Sequence, residues 1–224
     1  FKAKTYAAEA DNTGNWTIML PAQKAGGPFE MVFKASNEIV VKDILFGDVW
    51  ICSGQSNMEL PMERVKEKYG EVIKNAKNDM IRHFLVPDKY DFKKPQADID
   101  SGDWIAANPE TVLNFSAVAY FFAKEIYEKN QVPIGLINTA LGGSPVESWM
   151  SEETLMAFPN AYEEAQKFKN DELIKQIETS DKKRSDDWYA LLNANDRGIS
   201  DKNSQWNQVN CNDADWSKMQ IPGY

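Results

Sequence analysis

The chain has few of the residues that metal and disulfide sites require. Its 224 residues include two cysteines, Cys52 and Cys211, and one histidine, His83. No CxxC or HExxH spacing occurs, so we do not expect a zinc site. The two cysteines lie far apart in sequence, and we interpret both as ordinary thiols rather than as a disulfide.

Positive charge and long apolar runs are also lacking. Lys and Arg total 25 against 34 for Asp and Glu, a net charge of −9, which argues against nucleic acid or an anionic membrane surface as a partner. No run approaches the ~20 apolar residues that span a bilayer. Residues 1–4 do not read as a signal peptide, so we expect any export signal to have been removed or never present. Hydrophobic residues make up 42% of the chain, enough for a sizeable core.

Residues 1 to about 45 are predicted to be β structure. Strand-like runs at 16–20, 29–33 and 38–41 are separated by turn residues. This spacing suits antiparallel strands of a sandwich, but three or four strands seldom bury two sheet faces alone. We therefore predict that 1–45 is the C-terminal part of an N-terminal β domain.

From Gly47 onward, strands and helices alternate. Strands are predicted over 49–52, 80–86 and 134–139, and helices over 62–78, where Gly70 can divide the helix, and about 112–129. The second helix carries an apolar stripe of Val112, Phe115, Val118, Ala119, Phe122, Ile126 and Tyr127. Residues 88–107 are interpreted as a long polar connection. This alternation implies right-handed crossovers and a parallel sheet.

The remainder is predicted to be helical over 151 to about 194, beginning at the start signal Ser151. The phrase Trp216 to Pro222 resembles the first strand of another β module. The predicted domains are therefore 1–45, an α/β domain over 46–195, and the start of an inserted β module or a linker over 196–224.

Ser56 occupies the most informative position in the chain. The run Val49 to Cys52 is typical of a buried parallel strand and leads through Ser53 and Gly54 into a helix. A helix start favours negative charge, which suits a nucleophilic oxygen and a tetrahedral intermediate. The alternative is that Ser56 only caps the helix.

A second polar loop, Ala140 to Pro145, is expected at the same sheet edge as Ser56. Ligands of parallel α/β sheets bind outside the carboxyl ends of the strands, and both loops follow such ends. Its Gly142 and Gly143 also fit a plain turn. His83 lies inside a predicted strand, and we interpret it as a core or edge histidine.

Two blocks of sequence resemble one family of esterases. Gly47-Asp48-Val49-Trp50, followed by Ser53-Gly54-Gln55-Ser56-Asn57-Met58, is similar to the first block of the sialate O-acetylesterase family, which belongs to the SGNH (GDSL-like) hydrolases. Residues 133–138 and 142–149 resemble its second block. Gly14-Asn15-Trp16 and Gly26-Gly27-Pro28-Phe29 match the end of the β domain that precedes the hydrolase. The resemblance spans roughly residues 10–150.

The resemblance implies an SGNH-like fold, a three-layer parallel sheet flanked by helices, and a set of site residues. Ser56 would be the nucleophile, and the backbone N–H groups of Ser56 and Gly143 would form the oxyanion hole. The residues implied in substrate binding are Gln55, Asn57, Gly142, Glu147 and Trp149. For Glu147 and Trp149, helix capping and core packing remain open alternatives. No metal or organic cofactor is implied.

The family's third block and its terminal Asp-x-x-His block, which supplies the base, are not found here. We therefore expect the chain to be a portion of a longer enzyme whose remaining part supplies Asp and His. The implied function is a serine esterase that removes O-acetyl groups from sialic acid or a plant polysaccharide such as xylan. The implied location is secreted or periplasmic.

Two other functions can be compared with this one. An α/β-hydrolase is disfavoured because residues 54–58 lack the second glycine of the G-x-S-x-G motif. A non-catalytic carbohydrate-binding protein stays open, since seven tryptophans and an acidic composition fit sugar binding without chemistry.

Overall fold

The structure, a computed structural model, describes residues 1–196, 198 and 206–221. The chain divides into two compact units, residues 1–150 and 151–224. Among the described residues, no helix combines the length and the apolar character needed to cross a bilayer. The domain limits at 45 and 195 stay predictions.

A β-hairpin begins the regular structure of the first unit. Strands β1 (Gly26–Lys34) and β2 (Glu38–Phe46) pair antiparallel, which confirms two of the three predicted strands. The predicted strand at 16–20 is wrong, because this segment joins no sheet and its backbone is irregular. Its Trp16 ring instead packs beside Phe33, with 5.7 Å between ring centroids.

A four-stranded sheet forms the centre of the first unit. It contains β3 (Asp48–Cys52), β4 (Asn78–Leu85), β5 (Ile105–Ala107) and β6 (Ile134–Asn138), in the order β3-β6-β4-β5. The prediction of parallel strands is confirmed for β3, β6 and β4. It missed β5, which lies inside the predicted polar connection and pairs antiparallel with β4. The sheet is therefore mixed.

The helices of the first unit are shorter than predicted. α1 spans Ser56–Glu59, and α2 (Lys66–Lys74) follows a 3₁₀ turn at Met62–Val65 and is broken at Tyr69, next to Gly70. α3 (Ala117–Asn130) begins later than predicted, because the Ser116 Oγ accepts a hydrogen bond from the Ala119 N–H at 3.2 Å and caps the helix there. Thr111–Asn114 form a separate 3₁₀ turn.

The core lies between α3 and one face of the sheet. The fully buried large side chains are Phe115, Met62, Ile81, Ile134, Leu136 and Val112. The predicted stripe on α3 is partly wrong, since Val118 and Phe122 are exposed while Tyr120 and Ala123 are buried.

The opposite face of the sheet carries exposed apolar side chains. Val49 is 59% exposed and Ile51 73%, so the prediction of a buried strand is wrong for β3 apart from Cys52. The physical reason is position, because β3 is an edge strand and these two side chains point away from the face that α3 covers. A three-layer fold has helices on both faces of its sheet. In the described part of this unit, helices cover one of the two faces.

An ion pair joins the hairpin to the sheet. The Arg82 guanidinium on β4 donates to the main-chain carbonyl and to Oδ1 of Asp43 on β2, both at 2.7 Å. The Arg82 side chain is 13% exposed and that of Asp43 is 66% exposed, so water reaches the pair from the Asp43 side. Asp43 has a positive φ of 57° at an irregularity in the β1–β2 ladder.

The second unit is mainly helical over residues 152–195, as predicted. It contains α4 (Glu152–Leu155), α5 (Pro159–Lys167) and α6 (Asp171–Asn195), and the Ser151 Oγ accepts from the Thr154 N–H at 3.2 Å at the predicted start. Residues 206–221 form turns and irregular backbone. The predicted strand is therefore absent over Trp216–Ile221, and Pro222 lies outside the described residues.

Candidate active site

Ser56 lies where the sequence predicts it, directly after a strand and at the first position of a helix. The turn between them needs Gly54, whose φ of +139° is rarely adopted by residues with a side chain. The N-cap of α1 is Gln55 and no side chain caps the helix, so the capping interpretation of Ser56 is wrong. Its side chain is exposed, and within the described part of the chain the Ser56 Oγ makes no hydrogen bond.

The start of α3 holds α1 in place. A four-residue helix is not stable by itself, but the Ala117 N–H donates to the Leu60 carbonyl at 2.8 Å. The Ser116 hydroxyl donates to the Met58 sulfur at 3.6 Å, and Pro61 and Ser116 form a β-bridge. Ser56 therefore stands on a short helix that is tied to the core.

The second predicted loop is bonded to the turn that carries Ser56. The Thr139 N–H donates to the Cys52 carbonyl at 3.0 Å, and the Leu141 N–H donates to the Gly54 carbonyl at 2.9 Å. The buried Asn138 side chain accepts from the Ala140 N–H at 3.0 Å. The two loops therefore meet at the carboxyl edge of the sheet, as predicted.

Gly142 lies close to the Ser56 side chain. A Cβ placed on Gly142 would lie 3.5 Å from the Ser56 Oγ and would overlap the Glu59 carboxylate. The Gly142 N–H donates to the Glu59 Oε2 at 2.5 Å. The Gly142 amide is thus engaged within the protein, and a side chain at this position would have to displace the Glu59 carboxylate.

Two backbone donors at this edge have no acceptor. Neither the Ser56 N–H nor the Gly143 N–H forms a hydrogen bond within the described residues. Gly143 has a φ of +75°, and a Cβ placed there would meet nothing within 4 Å. Backbone conformation therefore favours glycine at this position.

The other predicted site residues are exposed around this edge. The side chains of Gln55 and Asn57 flank Ser56 and make no hydrogen bond to any described residue. Glu147 and Trp149 lie in a 3₁₀ turn, Val146–Trp149, and both are exposed, so neither packs into the core.

The Trp149 ring is held by a short chain of hydrogen bonds. Its Nε1–H donates to the Ser144 Oγ at 3.0 Å, and the Ser144 hydroxyl donates to the Leu141 carbonyl at 2.7 Å. Beside it lies a pocket of about 210 Å³, lined by Val86, Pro87, Asp88, Lys89, Tyr90, Thr139, Leu141, Ser144, Ser148 and Trp149. Leu141 belongs both to this pocket and to the loop next to Ser56.

His83, the one histidine of the sequence, is a core residue, as predicted. It lies in β4, is 3% exposed, and stacks on Phe115 with 4.6 Å between ring centroids. Its Nε2 has no hydrogen-bond partner among the described residues. Burial lowers the pKa of His83 to about 4, so the ring is neutral near pH 7 and is not bonded to Ser56.

In residues 1–196, 198 and 206–221, no group of three or more His, Cys, Asp or Glu side chains is arranged to hold an ion. Cys52 and Cys211 are both unpaired, and burial raises the pKa of the Cys52 thiol.

The contacts of Glu59 and Ser144 are not among the predictions from the sequence. Ser56 and Glu59 are three residues apart, a spacing that places two side chains on one face of a helix. That spacing was a usable signal. The partner of Glu59 is 83 residues away in the chain, and nothing in the local sequence indicates it.

Known carbohydrate esterases are similar in sequence to this chain. The family described as "Carbohydrate esterase, sialic acid-specific acetylesterase" matches residues 46–192. A sialate O-acetylesterase of Rattus norvegicus is 33% identical over 166 residues, 68% of this chain and 30% of its own length. The Homo sapiens protein of that name is 32% identical over 158 residues, 65% of this chain and 30% of its own length.

A solved structure is similar as well. A carbohydrate acetylesterase from Xanthomonas citri superposes with a TM-score of 0.62 at 41% identity, covering 65% of this chain and 34% of that one. The chain thus spans about 30% of the length of the curated relatives it matches.

Proposed function

Because this chain belongs to the carbohydrate esterase family of sialic acid-specific acetylesterases, we propose that it carries the nucleophile of a serine O-acetylesterase acting on carbohydrates. The observation that carries the proposal is the meeting of two loops at one sheet edge. There the exposed Ser56 hydroxyl lies beside Gly142, and the Ser56 and Gly143 amides bind no acceptor among the described residues.

The proposed reaction has two steps. The Ser56 Oγ attacks the acetyl carbonyl, the bond from that carbon to the sugar oxygen breaks, and the proton taken from Ser56 by a base passes to the sugar oxygen. Water then attacks the acetyl-serine through the same base, releasing acetate and restoring the hydroxyl. Each step forms an oxyanion that the N–H groups of Ser56 and Gly143 stabilise in this proposal.

The sugar is proposed to lie in the pocket beside Trp149. Aromatic faces suit the apolar faces of sugar rings, and the Trp149 ring is oriented by its bond to Ser144 before any ligand arrives. Leu141 connects this pocket with the loop beside Ser56. Glu147, Gln55 and Asn57 are exposed around the same edge, and polar contacts from them to sugar hydroxyls belong to the proposal.

The base is proposed to come from outside these 224 residues. Ser56 needs a base within hydrogen-bond reach, and His83, the one histidine present, is enclosed in the core. We propose an Asp and a His from the remaining part of the same enzyme. The proposal also includes a β domain that contains residues 1–45 and a further β module or a linker after residue 195. It further includes export to the periplasm or outside the cell.

The test is to measure ester hydrolysis by the protein that the natural reading frame containing this chain encodes. We expect it to release acetate from an aryl acetate and from O-acetylated sialic acid or acetylated xylan. Ser56→Ala should abolish turnover, whereas Ser53→Ala, an exposed serine in the same turn, should retain it. Equal turnover by the Ser56→Ala variant would eliminate the proposed nucleophile. Sugar binding without turnover in the unmodified protein would favour a carbohydrate-binding protein instead.

A further inference from the structure

Glu59 forms a hydrogen bond that joins the helix of Ser56 directly to the loop of Gly142 and Gly143. Its Oε2 accepts the Gly142 N–H at 2.5 Å. Glu59 is the last residue of α1 and Ser56 is the first. The carboxylate and the nucleophile therefore project from the same helical turn towards the same glycine.

The contact decides which glycine amide is available. With the Gly142 N–H bound to Glu59, the next amide in the loop, that of Gly143, is the one left without an acceptor in the described structure. The same loop is held on its other side by the Leu141 N–H, which donates to the Gly54 carbonyl. Two bonds on adjacent residues therefore hold this loop against the Ser56 turn.

We propose that Glu59 is a positioning residue for the esterase reaction. Its carboxylate clamps the Gly142 amide and so presents the Gly143 amide as the oxyanion donor. Glu59 takes no proton in the reaction and touches no substrate. This inference rests on the proposed function, which makes Ser56 the nucleophile and Gly143 a donor.

The lack of space at Gly142 reflects the same contact with Glu59. A Cβ there would overlap the far end of the Glu59 side chain while keeping an ordinary 3.5 Å contact with the Ser56 Oγ. Gly142→Ala is therefore expected to displace the Glu59 carboxylate first. The same clamp can be broken from either end.

The first test is steady-state kinetics of the protein that the natural reading frame encodes. Loss of the clamp misplaces a donor used in the transition state, so Glu59→Ala should lower kcat roughly 10- to 100-fold, with KM nearly unchanged. Glu59→Gln keeps an oxygen acceptor for the Gly142 N–H and should stay within roughly threefold of the unmodified protein. Glu63→Ala, an exposed glutamate in the following 3₁₀ turn, is the matched control and should have no effect.

Three kinetic outcomes would overturn the proposal. If Glu59→Gln were as inactive as Glu59→Ala, the carboxylate would act as a proton acceptor. If both variants raised KM and left kcat unchanged, Glu59 would bind substrate. Unchanged kinetics in Glu59→Ala would remove any role. In the Glu59→Ala background, Gly142→Ala should cost less than it does alone, because both changes break one bond.

The second test does not depend on activity. In the 224-residue chain, the amide proton resonance of Gly142 should lie downfield and move upfield in Glu59→Ala, while that of Gly143 lacks this downfield shift. An unmoved Gly142 resonance would show that the clamp does not exist. If Ser56→Ala left turnover intact while the Gly142 resonance moved as expected, the proposed function would fail and the contact would stand.

Discussion

The carboxyl edge of the sheet and the sheet face beneath α3 are built in opposite ways. At the edge, Ser56 and Gly143 keep unengaged backbone donors, and the loops are held by a few hydrogen bonds. Beneath α3, Leu136, Ile81 and His83 are almost wholly buried. The proposed reactive groups thus lie where backbone N–H groups bind no acceptor among the described residues. The side chains that stabilise the fold lie between the sheet and α3.

The largest stability effect should separate the two faces of the sheet. Leu136→Ala on β6 removes a side chain that is 0% exposed, and we expect it to lower the free energy of unfolding by about 2–5 kcal/mol. Ile51→Ala on β3, at the exposed face, should change it by less than about 0.5 kcal/mol. Urea unfolding of the 224-residue chain measures both, and similar costs would contradict the assignment of the core to one face.

His83 should make the buried face sensitive to acid. Its pKa is lowered from 6.5 to about 4 by burial. As the pH falls, the unfolded state therefore binds the His83 proton at a higher pH than the folded state does. At about 1.4 kcal/mol per pKa unit, this contributes about 3 kcal/mol of stability that is complete above pH 6.5 and is lost as pH falls towards 4.

The measurement is the difference in unfolding free energy between the unmodified chain and His83→Leu at several pH values. Taking a difference cancels the carboxylates that titrate in the same range. Between pH 7 and pH 4, we expect the unmodified chain to lose about 3 kcal/mol more stability than His83→Leu does. A difference independent of pH would show that His83 reaches solvent and can exchange protons freely.

The smallest predicted effect concerns the attachment of the hairpin to the sheet. Asp43→Ala removes one acceptor of the Arg82 guanidinium and should lower stability by about 1 kcal/mol. Asp43→Asn keeps an oxygen acceptor and tolerates the positive φ, so it is the matched control and should cost less. Hydrogen exchange of the β1 and β2 amides should be faster in Asp43→Ala. Equal exchange in both variants would show that the pair does not hold the hairpin.

Local pattern was sufficient to predict β1, β2, β3, β4 and β6 and the position of Ser56. The run before Ser56 and the turn at Gly54 specify a strand-to-helix junction within a few residues. The predicted start of α3 near residue 112 is too early, because residues 111–114 form a 3₁₀ turn in which the Asn108 side chain accepts from the Thr111 N–H.

Features that depend on distant partners were not predictable from the sequence. β5 has three residues and exists because it pairs with β4. Residues 16–20 have strand-like composition but no partner strand. The Glu59 contact with Gly142 links residues 83 positions apart. Each required the fold before the neighbour could be named.

Covalent labelling of the nucleophile tests the central claim most directly. The protein encoded by the natural reading frame that contains this chain would be treated with an aryl phosphonate, with and without an O-acetylated sugar. The modified peptide would then be located by mass spectrometry. We predict one adduct, on Ser56, which forms as activity is lost and is suppressed by the sugar. Complete inactivation with the adduct on another residue, or with Ser56 unmodified, would contradict the account.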